Sequence, residues 1–345
     1  MRRGTMTTAK PKLRTWSDLA KFKRIPSEYE TVTHNLLFNV NGRYELDPND
    51  PVVVWYDKYR DKSAIQAESM DQWNNFRDPH SIVYRKYTEL QDERETFIDI
   101  LFEQNEELRA NEKLDQQWLQ FLLKAFTPLR FLAHGLQMMA SYGAMIAPSS
   151  YIINCYHFQA ADEMRRIQRI SYRTKELQLA YPELGFGEEE RHIWESDPMW
   201  QPLRKVIELM LTEFDWGKSF IALNLVLKPL LDELVSVKYA ELFRLNGDEL
   251  MAEMLENLYL DTVRSKEWSQ DLSKLILEIN PNNQAVLTET IAKWHPLVME
   301  GITALAPAFE ELPDIKMPFA EVLKDITNKY DTFLEDSELT LSKIS

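Results

Sequence analysis

No Asp or Glu occurs from Gln116 to Ala161, nor from Trp216 to Leu231, in a chain of 345 residues that carries 55 acidic side chains against 40 basic ones. The first stretch contains WLQFLLKAFTPLRFLAHGLQMMASYGAMIA, from Trp118 to Ala147, and the second contains FIALNLVLKPLL. A helix that is apolar almost all round has no face to offer water, so other helices must wrap it. This requirement predicts buried central helices around which the rest is arranged. Only 9 Gly occur in the whole chain, and Leu, Glu, Lys, Gln and Met are plentiful, so an all-α fold is expected rather than a turn-rich β architecture.

Residues 1–80 read differently. Pro11, Pro26, Pro48, Pro51 and Pro79 interrupt them, and aromatics are scattered between short polar stretches. The expectation is an extended arm with short helices, which either packs along another surface or folds back on its own helical domain. From Val83 a 3.6-residue pattern begins, with Tyr84, Tyr87, Leu90, Phe97, Ile98, Leu101 and Phe102 on one side of a helix. Further helices are predicted over 118–147, kinked at Pro128, and over about 149–180, 203–245 and 248–279. The connector from Tyr181 to Pro202 is rich in turn signals, and the tail holds at least two more helices, divided near Pro307 and Pro313 to Pro318. Three parts result: an arm over 1–80, a bundle of long helices over 81–280 and a helical appendage over 281–345.

The net charge of −15 disfavours a phosphate-binding surface, so nucleic acid is not an expected partner. Cys155 is the only cysteine, which rules out an intrachain disulfide and any cysteine-held cluster and fits a cytoplasmic protein. No signal peptide and no membrane span are expected. Nucleophile elbows and Gly-rich phosphate loops are missing. Bundles with a di-iron centre take a Glu from each of two helices and a Glu-x-x-His from each of two others. The literal match, Glu189 to His192, lies in an acidic connector and reads as a solvated helix start. His34, His80, His134, His157 and His295 lack partners at ligand spacing, and Met138, Met139 and Met145 read as fillers of core gaps rather than as a substrate cavity. Two near-matches stand out: Asp162-Glu163-Met164-Arg165-Arg166 and Asp261-Thr262-Val263-Arg264-Ser265, 99 positions apart and sharing Asp-x-x-Arg.

These motifs resemble the paired Asp-Glu-x-Arg-His motifs of bacterial multicomponent di-iron monooxygenases. The runs RTWSDLAKFKRIPSEYE, PVVVWYDKYR, DPHSIVYRKYTELQDERE, SYRTKELQLAYPELGFGEEER and LTEFDWGKSFIALNLVLKP are similar to hydroxylase β-subunits of the toluene and alkene type. The resemblance implies a ferritin-like bundle whose ligand slots are vestigial: Glu163 keeps a carboxylate, Arg166 stands in a histidine slot, and Thr262 and Ser265 occupy the second carboxylate and histidine slots. Arginine has no lone pair for a metal, and hydroxyls replace carboxylate and imidazole poorly, so no catalytic, cofactor-binding or metal residue is expected. Glu163 is expected to form a buried ion pair with Arg165 or Arg166, with Asp162 as a competitor for the same cations. The resemblance further implies an (αβγ)2 hydroxylase with the di-iron centre in α, a regulatory protein, a Rieske [2Fe–2S] ferredoxin and an FAD-containing NADH reductase. Arg14, Trp16, Lys21, Lys23, Arg24, Tyr29, Trp55 and Tyr56 are the expected exposed docking residues of the arm. The alternative is a stand-alone helical interaction protein with no oxygenase role.

Overall fold

A computed structural model describes Leu19, residues 23–34 and residues 47–339, and every regular element among them is helical. Two short helices come first, α1 (Glu28–Thr33) and α2 (Pro51–Tyr56), followed by the long α3 (Tyr84–Glu107). Next, α4 (Gln116–Phe121) runs through a π-helical turn at Leu122–Phe126 into α5 (Leu129–Ile146), and α6 (Ser150–Ala180) returns beside it. The irregularity is wider than the kink expected at Pro128. Pro128 has no N–H to continue the ladder, and the Thr127 hydroxyl donates to the Leu123 carbonyl at 2.9 Å, so the π turn absorbs the mismatch before α5 starts.

After the short α7 (Glu190–Ser196) and α8 (Gln201–Met210), the chain breaks where the sequence predicts one helix over 203–245. Asp215 accounts for the break. Its carboxylate caps α9 (Trp216–Phe220) by accepting the Lys218 N–H at 3.0 Å, and it also accepts the Ser63 hydroxyl and the Ala64 N–H, both at 2.8 Å. The chain then runs through a π segment at Ile221–Leu227, α10 (Lys228–Asp232), a second π segment at Glu233–Lys238 and α11 (Tyr239–Leu245). The remaining helices are α12 (Glu249–Ile279), α13 (Asn283–Thr303), α14 (Ala306–Glu310) and α15 (Phe319–Asp336).

Every residue from Ser219 to Ser236 is buried, which satisfies the demand made by FIALNLVLKPLL. The bundle covers one side of this stretch, while α13 packs on the first π segment and α15 on α10. The described part of the arm folds back on the bundle. Tyr29, 4% exposed, meets Tyr151 at 5.6 Å between ring centroids, Trp73 stands edge-on to Trp216 at 4.9 Å, and Trp55 lies 5.0 Å from Phe214. Among the described residues, no helix is long and apolar enough to cross a membrane.

The α5–α6 hairpin is tight because Gly143 lets Tyr156 lie against its backbone. A Cβ at Gly143 would stand 2.5 Å from Tyr156 Cε1, and the buried ring is backed by Trp268 at 5.2 Å. Gly143→Ala is therefore expected to destabilise the fold by about 1–3 kcal/mol. The measurement is the urea midpoint, with circular dichroism confirming that the helices persist; an unshifted midpoint would refute this close contact.

Candidate functional site

Helical spacing brings the charged centre together. Glu163 and Arg166 are three apart on α6, Thr262 and Ser265 three apart on α12, and Lys228 and Asp232 four apart on α10, so each pair shares one helix face. The three faces converge. Lys228 Nζ donates to Glu163 Oε1 and lies 2.9 Å from Asp232 Oδ2. Arg166 donates to Asp232 Oδ1 at 2.8 Å and to Thr262 Oγ1 at 3.2 Å, and it sits 3.4 Å from Glu163 Oε2. The Thr262 hydroxyl donates to Asp232 Oδ2 at 3.0 Å, and that of Ser265 to the Thr262 carbonyl at 3.0 Å. Two cations and two carboxylates balance in a space closed to water, with Lys228 and Asp232 only 3% and 0% exposed.

A second layer links the two Asp-x-x-Arg motifs reciprocally. Arg165 donates to Asp261 Oδ2 at 2.7 Å, and Arg264 donates to Asp162 Oδ2. From α3, the Tyr87 hydroxyl donates to Asp162 at 2.9 Å, the Gln91 amide reaches Asp162 at 3.1 Å and Asp261 at 2.8 Å, and Arg94 donates to Asp261. Glu163 thus pairs with Arg166 as expected, but its hydrogen-bonded cation is Lys228. Arg165 turns to the other motif, and Asp162 competes for neither Arg165 nor Arg166 because Arg264 reaches it first.

Burial alone would raise the Asp232 carboxyl, but the Arg166 and Lys228 charges override it and hold it well below the usual carboxylate range. Burial likewise opposes the Lys228 ammonium, and Asp232 and Glu163 raise it instead. In the outer layer, burial first and then the neighbouring Asp261 push Asp162 up to about 8, with Arg264 pulling the other way.

Sequence reasoning missed Lys228 and Asp232. The signal was present, since a Lys inside FIALNLVLKPLL has to find a carboxylate once that stretch is buried. Glu189 and His192 are exposed at the start of α7. Met139 lies in the core, whereas Met138 and Met145 face outward, contrary to the core-filling expectation. Of the arm residues, Lys23 is exposed, Arg24 pairs with Glu30 at 2.7 Å, and Trp55 and Tyr56 are half-buried. Tyr29 is not an exposed docking residue, because its ring is seated against Tyr151 and its oxygen accepts the Asp78 N–H at 3.2 Å. Arg14, Trp16 and Lys21 lie outside the described residues.

Lys228→Met leaves Glu163 and Asp232 with a single shared cation and is expected to cost about 3–5 kcal/mol. Adding Glu163→Gln removes the surplus negative charge and should recover part of the loss; an equal or greater loss in the double variant would mean that packing, not charge, is at stake. Because the folded Asp232 carboxyl is depressed, its contribution is complete above the unfolded pKa of about 4 and fades as the pH falls below it. Asp232→Asn should therefore flatten the acid limb of a stability–pH profile, and an acid limb as steep as that of the wild type would refute this.

Comparisons with known proteins identify the family. The family model described as methane/phenol/alkene hydroxylase matches residues 55–280. The β-subunit of the hydroxylase component of the toluene-4-monooxygenase system from Ectopseudomonas mendocina is 39% identical over 292 residues, covering 84% of this chain and 88% of that protein. A solved toluene 4-monooxygenase structure with toluene in its resting active site superposes with a TM-score of 0.81 at 38% identity, covering 87% of this chain and 99% of the other. A phenol hydroxylase structure from Pseudomonas sp. OX1 shares the fold at a TM-score of 0.82 and 20% identity, over 98% and 99% of the two chains. The chain belongs to the methane/phenol/alkene hydroxylase family and, within it, to the β-subunits of multicomponent monooxygenase hydroxylases.

Proposed function

We propose that this chain is a non-catalytic scaffold, and that the O2-dependent hydroxylation or epoxidation of a small hydrocarbon takes place at a di-iron centre in its α partner. The observation that carries the reading is the pair of cations at the bundle centre, Arg166 and Lys228, each engaged by buried carboxylates. A di-iron centre in such a bundle needs carboxylates and imidazoles with free lone pairs. Guanidinium and ammonium groups offer none and repel metal cations. Arg166, Lys228, Thr262 and Ser265 therefore do not fit a metal pair, and no step of the oxygen chemistry runs through them.

The work of such a subunit is mechanical. Any slip among α6, α10 and α12 would strand a buried ion at a cost of several kcal/mol, so the bundle presents its outer faces in one fixed arrangement. The Ectopseudomonas relative is named as subunit beta of a hydroxylase component, which supports a multisubunit hydroxylase, here proposed to contain α- and γ-subunits; the toluene in its name and in the solved structure, and the alkene in the family's description, support a small aromatic or alkene substrate. A regulatory protein, a Rieske ferredoxin and an NADH reductase with FAD complete the proposed cytoplasmic system. Arm residues Lys23, Arg24, Trp55 and Tyr56, preceded by Arg14, Trp16 and Lys21, are proposed contacts to α.

The test is iron content and oxygen-dependent hydroxylation of the chain expressed alone and co-expressed with the other hydroxylase subunits. The expected outcome is negligible iron and turnover alone, with both present in the co-purified assembly. Two irons and turnover in the isolated chain would overturn the proposal.

A further inference from the structure

The turn between α11 and α12 joins a reactive dipeptide to a clamp that restrains it. Gly247 ends α11 in the left-handed region at φ +77. Its N–H donates to the Arg244 carbonyl at 3.1 Å, and that of Asp248 donates to the Phe243 carbonyl at 3.0 Å. Such a helix end calls for glycine, and glycine leaves its own nitrogen unshielded: no atom stands within 4 Å of where a Cβ would lie. The residue before it is Asn246, whose side-chain amide a bare main-chain nitrogen can attack. In that reaction the bond from Gly247 N to Asn246 Cγ forms and the Cγ–Nδ2 bond breaks. Nδ2 leaves as ammonia, taking up the Gly247 proton, and water opens the resulting succinimide ring to aspartate or isoaspartate.

The fold holds the Asn246 amide elsewhere. Nδ2 donates to the Leu242 carbonyl at 2.9 Å and to the Ile315 carbonyl at 3.0 Å, and Oδ1 accepts the Ile315 N–H at 2.9 Å. Ile315 lies in the loop between α14 and α15, so this one amide ties that loop to the end of α11. An aspartate has no hydrogen to donate, and its second oxygen would face the Leu242 and Ile315 carbonyls. It would also join Asp115, Asp248, Glu249, Glu253 and Asp314, which line the cleft beside Asn246. Crowding is already felt at the loop, where burial and then the neighbouring Asp115 raise the Asp314 carboxyl above its ordinary value.

We infer that Asn246 is a site of spontaneous deamidation governed by this loop: the seated loop holds the amide away from Gly247, and conversion of the amide unseats the loop irreversibly. The test is peptide mapping by mass spectrometry of the full chain aged at mildly alkaline pH, folded and in urea. The map separates Asn246 from Asn41, whose Asn-Gly pair lies outside the described residues. Asn246 should convert at least about tenfold more slowly in the folded chain than in urea, because its hydrogen bonds to Leu242 and Ile315 must open first. Ile315→Pro removes the N–H that Oδ1 accepts and should speed conversion in the folded chain. Asn246→Asp copies the product and does not depend on Ile315→Pro folding. In that variant, amide hydrogen exchange over residues 312–317 should quicken about tenfold while the middle of α12 keeps its protection. No conversion in the folded chain, equal rates in the folded and urea samples, a folded Ile315→Pro variant that converts at the wild-type rate, or unchanged exchange in Asn246→Asp would each overturn the inference.

Discussion

Lys228 and Asp232, one helical turn apart in the most enclosed part of the molecule, set the terms for the bundle. Each would be prohibitively costly to bury alone. Lys228 is balanced by Glu163 and Asp232, and Asp232 is held from the other side by Arg166 and the Thr262 hydroxyl, so three helices are tied through one charge-neutral knot. Replacing such a knot with well-packed apolar side chains would often be no worse for stability, so its value lies in register. Charges that must meet at hydrogen-bond distance allow α6, α10 and α12 one axial setting, whereas leucines would tolerate several.

The outer layer repeats the logic with the partners exchanged. Asp162 and Arg165 on α6 answer Arg264 and Asp261 on α12, and α3 closes the arrangement through Tyr87, Gln91 and Arg94. In both layers side-chain cations, carboxylates and hydroxyls answer one another across the helices, so the spacing of α3, α6, α10 and α12 is kept by charge balance and hydrogen bonding.

The tail helices have a comparable structural reason to exist. A segment buried from Ser219 to Ser236 cannot be satisfied by a four-helix arrangement that leaves one side of it in water, and α13 and α15 cover that side. The hairpin of α5 and α6 differs, because Met138, Met145 and Met164 stand exposed on its outward side.

The sequence by itself determined that the chain is helical and that the stretch holding FIALNLVLKPLL is enclosed, because periodicity and side-chain polarity are local properties. Only the tertiary structure decided which charges meet. Glu163 and Lys228 are 65 positions apart, and Arg165 and Asp261 are 96 apart, so their pairing depends on the distance between helices and not on any spacing along one. The same holds for the break before Asp215, fixed by Ser63 and Ala64 of the arm, and for Tyr29, an aromatic residue in a Pro-broken arm that Tyr151 on α6 draws inward. Local geometry states what each helix must hide, and what hides it is settled only when the helices pack.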